Sequence, residues 1–199
     1  LRERMQHPRS KIQWWDLTGK KKAQEMVKQS FDDGRKILEF LNSFDVPVFT
    51  VPGNWDWTGI DKDSALVKMN LYKELIKGLP HVVDVYHRRV VFDGYDIIGH
   101  GITSGPEYPQ HKEDIERLTK RELNKMRSTY QRSSRRLSTL FEEAAQPVIF
   151  LSHNVPFNTP LDKITNKDSP RYGYHFGSLI AREMIEQYQP LVCVGGHMH

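Results

Sequence analysis

The sequence predicts an α/β domain built on a mixed sheet or on two packed sheets, and three observations carry the prediction. Short β-branched runs alternate with segments of helical period along the chain. One pair of runs, Arg89–Phe92 and Tyr95–Ile98, is joined by Asp93-Gly94, a dipeptide that supplies the positive φ of a tight hairpin turn. A length of 199 residues, 38% of them hydrophobic, suffices for one domain with its own core.

In chain order, residues 18–44 read as a helix with Ile37, Leu38, Phe40, Leu41 and Phe44 on an inward face and Pro47 beyond its end. Val46–Val51 is a short buried strand broken by Pro52-Gly53. A second helix spans 64–77, capped by Ser64 and stopped by Gly78, with Leu66, Val67, Leu71, Leu75 and Ile76 inward. The hairpin follows, then a charged helical stretch over 111–145. Pro147–Leu151 is a buried strand, and a polar, proline-containing loop covers 156 to about 176. Ser178 caps a helix running to Gln189, and Leu191–Val194 is the last strand.

Composition narrows the class. No apolar run approaches the roughly 20 residues that span a bilayer, so no membrane role is expected. The segment Leu1–Pro8 lacks the apolar core of a secretory leader. The one cysteine, Cys193, excludes an intramolecular disulfide, and a reducing, cytoplasmic setting is expected. The net charge of +4 is compatible with an anionic substrate and equally with an ordinary solvated surface.

Three predicted strands end in loops that hold potential metal ligands. Val51 runs into Gly53-Asn-Trp-Asp56, Leu151 into Ser152-His-Asn-Val-Pro156, and Val194 into Gly195-Gly-His-Met-His199. Ligands of α/β sheets sit at strand carboxyl ends, so these loops can converge on one pocket. In an extended segment residues i and i+2 project to one side, so His197 and His199 can present both imidazoles to one site or to two adjacent ions. Each pattern alone has a bland reading: Asn54 as a turn residue, His153 as a hydrogen-bonded structural histidine. All three together, in strand-end loops, do not.

These residues resemble the second half of the signature of the calcineurin-like metallophosphoesterases. The family order is Asp-x-His, Gly-Asp, Gly-Asn-His-Asp/Glu, a lone His and then Gly-His-x-His, and the match runs from about residue 46 to 199. The stretch from His175-Phe-Gly-Ser178 to Gln189-Pro190 is similar to a branch of uncharacterised phosphoesterases related to cyclic-nucleotide phosphodiesterases. The resemblance implies a four-layer αββα sandwich, with Asn54, His153 and His197 holding the second metal and His199 the first. It implies two divalent cations that polarise a phosphoester and supply a metal-bound hydroxide for in-line attack on phosphodiesters or small phosphomonoesters. Imidazole and amide donors suit manganese, iron, zinc, nickel or cobalt without choosing among them, and manganese is the expected cofactor.

The pattern breaks in two places. Asp-x-His and Gly-Asp are missing, so residues 1–199 read as one metallophosphoesterase domain truncated at both ends, with a charged helical insertion over 105–146. Asp16 is a weak candidate for the bridging aspartate, because neither glycine nor an apolar strand precedes it. Trp55 stands where the family carries its catalytic histidine, and an indole N–H can hydrogen-bond but not act as an acid. His175 is the candidate replacement, with Asp56 orienting a metal ligand rather than reacting. The amides of Gly177, Ser178 and Leu179, at a helix N-terminus, are candidates to bind a phosphate oxygen; a cap beside a surface histidine is the alternative. His100 reads as structural, and His81, His87 and His111 have no ligand-like context. Between Lys112 and Arg136, nine Lys/Arg face four Asp/Glu, which fits a nucleic-acid backbone or, in the reading preferred here, a solvated helix face. The alternatives to an esterase of small substrates are therefore a catalytically weak phosphate- or nucleotide-binding protein and a nuclease.

Overall fold

The computed structural model describes residues 14–56 and 70–198. The predicted cap at Ser64, the apolar Leu66 and Val67, and His199 lie outside the described residues. The chain divides into two compact units, one of residues 1–48 and 57–82, the other of 49–56 and 83–199.

The first unit is helical. Helix α1 (Trp14–Thr18) is followed by α2 (Lys20–Asn42), with Gly19 at φ +87° between them. Helix α3 (Leu71–Ile76) is capped by the side chain of Asn70, which accepts from the backbone N–H of Lys73. Arg35 of α2 donates to the carbonyls of Leu75 and Lys77 at 2.9 and 2.7 Å, satisfying acceptors at the C-terminus of α3. Gly34 lies against the Leu75 side chain on the same side. The helix therefore turns its Gly34 and Arg35 side to α3. Three residues expected inward, Ile37, Phe40 and Phe44, are exposed instead.

The second unit holds the four-stranded sheet, and a separate two-stranded pair lies at the boundary of the units. Strand β1 (Val48–Thr50) pairs with β2 (Val82–Asp84), a three-residue strand with no periodic signature of its own. Strands β3 (Arg89–Phe92), β4 (Tyr95–His100), β5 (Val148–Asn154) and β6 (Val192–Gly196) form a four-stranded sheet in that order. The β3–β4 hairpin closes through Asp93 and Gly94, both at positive φ, as the dipeptide predicts. Strands β4, β5 and β6 are mutually parallel, so their carboxyl ends share one edge. The mixed α/β sheet is the fold class read from the sequence.

The 111–145 stretch divides into α4 (Lys112–Glu116) and α5 (Lys120–Glu142). The break falls at Thr119, which forms a capping box with Glu122 and so starts a helix rather than continuing one. Helix α6 (Leu179–Tyr188) starts at Ser178, whose hydroxyl accepts from the Ala181 N–H. Leu137 and Phe141 of α5, Ile180, Ala181 and Met184 of α6, and Ile98 and Phe150 of the sheet form one buried cluster. The C-terminal part of the charged segment is thus built into the core. Among the described residues no helix is long and apolar enough to cross a membrane.

Candidate metal centre

Three chain crossings bring the site together within the second unit. After β1, Pro52 lies against the end of β4: the Ile102 N–H donates to the Pro52 carbonyl at 2.9 Å. That contact sets the Gly53–Asp56 turn beside the carboxyl edge of the sheet. The turn is closed by Asp56, whose Oδ2 accepts from the Gly53 N–H at 2.7 Å, while the Asp56 N–H donates to the Gly53 carbonyl at 3.2 Å. An ideal Cβ on Gly53 would sit 2.8 Å from His153 Cε1, so only glycine lets the imidazole reach the turn undisturbed.

His153 is the penultimate residue of β5, where the pairing with β6 is irregular between Ser152 and Asn154. His197 follows β6 directly and has φ +70°, a left-handed conformation uncommon outside glycine and of the kind found at functional sites. The donors meet at one point. His153 Nε2 lies 2.9 Å from Asn54 Oδ1, 3.1 Å from His197 Nδ1 and 3.2 Å from the Asn54 N–H. One imidazole nitrogen carries either one proton or one lone pair, so it cannot make three good hydrogen bonds. A cation could satisfy the three lone-pair atoms, Asn54 Oδ1, His153 Nε2 and His197 Nδ1: the contacts of about 3 Å match adjacent positions around an ion with bonds of about 2.1 Å. Burial and the neighbouring His197 push the His153 pKa down, which favours the neutral imidazole a metal needs. Two imidazoles and an amide oxygen fit a borderline first-row cation. Among the described residues no group of three His, Cys, Asp or Glu side chains is placed to hold a metal ion; the third member of this group is an amide.

Trp55, in the same turn, is 68% exposed. Asp16 lies within α1 rather than in a strand-end loop.

His175 lies in the loop before α6. Its Nδ1 is 2.6 Å from Oδ1 of Asp162, a fully buried carboxylate that also accepts from the N–H groups of Asn158, Thr159 and Gly177. These bonds outweigh the desolvation and hold Asp162 below the usual carboxylate range, hence ionised. The expected phosphate-binding role of the amides before α6 meets an obstacle, since each has an internal partner. Gly177 donates to Asp162 and Ser178 to the Val155 carbonyl, while Leu179 donates to Oε2 of Glu107 at 2.8 Å. The carboxylate of Glu107 occupies this helix N-terminus.

Beside the site, His100 closes β4. Its Nδ1 is 3.3 Å from Nε2 of His87 and its Nε2 is 3.1 Å from Glu107 Oε1. Both histidines are buried, and burial pushes the His87 pKa down to about 3. Asp162, Glu107 and the His87–His100 contact do not stand out in the sequence. Their roles depend on partners distant along the chain, and no local pattern marks them.

A family model described as calcineurin-like phosphoesterase matches residues 18–199. TT1561 of Thermus thermophilus, a solved structure, is similar with a TM-score of 0.52 and 17% identity, over 83% of this chain and 61% of that one. Another solved structure reaches a TM-score of 0.56 at 14% identity, over 99% of this chain and 66% of the other. The chain thus spans just under two thirds of the length of the solved structures it matches. No curated protein matches it. With nearly the whole chain matched by the family model and the α/β architecture shared with both structures, the chain belongs to the calcineurin-like phosphoesterase family.

Proposed function

We propose that this protein hydrolyses phosphodiesters or small phosphomonoesters, with Asn54, His153 and His197 binding one of two divalent cations, manganese first among them. The observation that carries the proposal is the meeting of Asn54 Oδ1, His153 Nε2 and His197 Nδ1 from three separate loops. His199, two residues beyond His197, is assigned to the other cation by the family pattern. Bound divalent metals polarise phosphoryl oxygens and lower the pKa of water for in-line attack. The chain supplies the rest. The Gly53–Asp56 turn holds the Asn54 amide in place, burial keeps His153 neutral, and His175 donates a proton to the leaving oxygen in place of a histidine at position 55. The single cysteine supports a reducing, cytoplasmic setting.

The test is hydrolysis of a bis-aryl phosphate by the full-length protein with Mn²⁺, alongside thermal unfolding with and without the metal. Mn²⁺ at 100 times its dissociation constant stabilises by about 2.7 kcal/mol. Both the rate and the stabilisation are expected to vanish in His197→Ala and Asn54→Ala. Unchanged stabilisation in either variant refutes the ligand assignment. Trp55 supports a second reading, a phosphate-binding protein without turnover; metal and phosphate binding with no hydrolysis under any divalent cation selects it.

A further inference from the structure

The sharpest unexplained arrangement outside the metal ligands is the pairing of His175 with Asp162. We propose that Asp162 is the positioning residue for His175, holding Nδ1 so that Nε2 faces outward as the leaving-group acid. The inference rests on the reading of His175 given above. Asp162 is wholly buried, whereas the His175 side chain keeps 25% of its surface exposed. Among the described residues Nε2 takes no partner, while Nδ1 is taken by the carboxylate at 2.6 Å. His100 shows what a purely structural histidine looks like in this molecule, since both its ring nitrogens are engaged and its ring is buried.

The backbone around the pair is fixed as well. Phe176 N–H donates to the Asp162 carbonyl at 3.2 Å, and Lys163 and His175 form an antiparallel bridge. The loop is tied to the metal-binding strand end: Asn154, next to His153, donates from Nδ2 to the Phe176 carbonyl at 2.9 Å, and Ser178 N–H donates to Val155 at 2.8 Å. An imidazole set by a preorganised carboxylate costs no reorganisation when charge moves through it.

In the step, a water oxygen bonds to phosphorus and its proton leaves to solvent. The bond from phosphorus to the leaving oxygen breaks with its electron pair on oxygen, and that oxygen takes the proton from His175 Nε2. The ring keeps its Nδ1–H, donated to Asp162.

General-acid loss is felt by poor leaving groups and hardly by good ones, which separates this role from a structural one. In the full-length Mn²⁺ enzyme, His175→Ala is expected to lose about 10²-fold in kcat/KM on a phenyl phosphodiester and little on the p-nitrophenyl one. Asp162→Asn is expected to lose at least about 10-fold with the same selectivity, and the double variant no more than His175→Ala alone. Asp162→Glu, which keeps the charge but moves the carboxylate, serves if the Asn variant does not fold. Asp114→Asn is the control for loop disturbance: it breaks the Arg171–Asp114 pair that ties the loop to α4 without touching the dyad. A second readout needs no metal: ¹⁵N NMR of the neutral His175 ring is expected to show a single Nδ1–H tautomer, mixed in the Asp162 variants. Equal losses on both substrates in Asp162→Asn, selective loss in Asp114→Asn, or an unchanged tautomer each overturn the proposal. If His175→Ala itself shows no selectivity, the acid assignment falls first and Asp162 with it.

Discussion

Two pairs of histidines stand at the carboxyl edge of the same sheet, and they are wired differently. His100 and His87 are 3.3 Å apart, and one proton per contact completes the chain from His87 Nε2–H to His100 Nδ1 and from His100 Nε2–H to Glu107. His153 and His197 are 3.1 Å apart, but His153 Nε2 also faces Asn54 Oδ1 and the Asn54 N–H. No tautomer satisfies all three of those contacts. The first cluster is buried and complete within the protein; the second lies half-buried, and the proposed cation would complete it. Proximity of histidines is therefore not what marks the site. The marker is a shortage of protons at the point where donors meet.

The comparison predicts opposite costs of truncation in the metal-free protein. His100→Ala strips partners from buried His87 and Glu107 and leaves a cavity, and is expected to cost about 3 kcal/mol of stability. His153→Ala removes a crowded, under-protonated contact and is expected to cost less than about 1 kcal/mol without metal. Denaturant midpoints of the two variants, read with the m-values, decide the matter. Equal costs break the contrast.

The buried cluster carries a second signature, in pH. The pKa of His87 is about 3 in the folded chain, against about 6.5 for an unperturbed imidazole. Between those values the unfolded chain binds the extra proton, so stability rises with pH across the window and is lost as pH falls below about 6.5. At 1.4 kcal/mol per unit, a drop to pH 5 removes about 2 kcal/mol. Chemical denaturation at pH 7.5 and pH 5 measures it. His87→Asn, which tolerates the φ of +52° found at that position, is expected to lose most of this dependence. A pH response that survives the substitution assigns the effect to other groups.

Much of the fold is legible in the sequence because its signals are local. The Asp93-Gly94 hairpin, the Ser178 cap and the strand runs at 147–151 and 191–194 each depend on neighbours within a few residues, and each forms. Strand β2 escapes notice because three residues carry no period and pair only through β1. The Thr119–Glu122 capping box is a local signal too, but it sits inside a long charged run whose helical period continues on both sides. Helix α2 shows the limit of periodicity: it identifies an apolar stripe, but the side that packs is chosen by Arg35 reaching the end of α3. At the site, Asn54, His153 and His197 stand out because each belongs to a short pattern after a strand. Asp162 and Glu107 do not, since a lone carboxylate in a loop acquires meaning only from His175 or from Ser178, 13 and 71 residues away.

The smallest expected effect tests whether the crowded cluster is set by its backbone. Gly53 has no positive φ to require glycine, so the cost of a side chain there is steric and local. A methyl group at Gly53 would stand 2.8 Å from Cε1 and 3.1 Å from Nδ1 of His153, closer than van der Waals contact permits, and the imidazole must give way. Gly196 also lies near His153, but a Cβ there would be 3.4 Å from the His153 carbonyl, a distance that small adjustments absorb. Gly53→Ala is therefore expected to weaken Mn²⁺ binding about tenfold, the lower end of what disturbing a ligand's support costs, while Gly196→Ala changes it far less. Calorimetric titration of the two variants reads the difference directly. Equal affinities would mean that His153 is free to settle wherever the cation draws it. The closeness of Asn54, His153 and His197 would then follow from the ligand, and the contrast with the fixed His87–His100 pair would be one of mobility rather than of wiring.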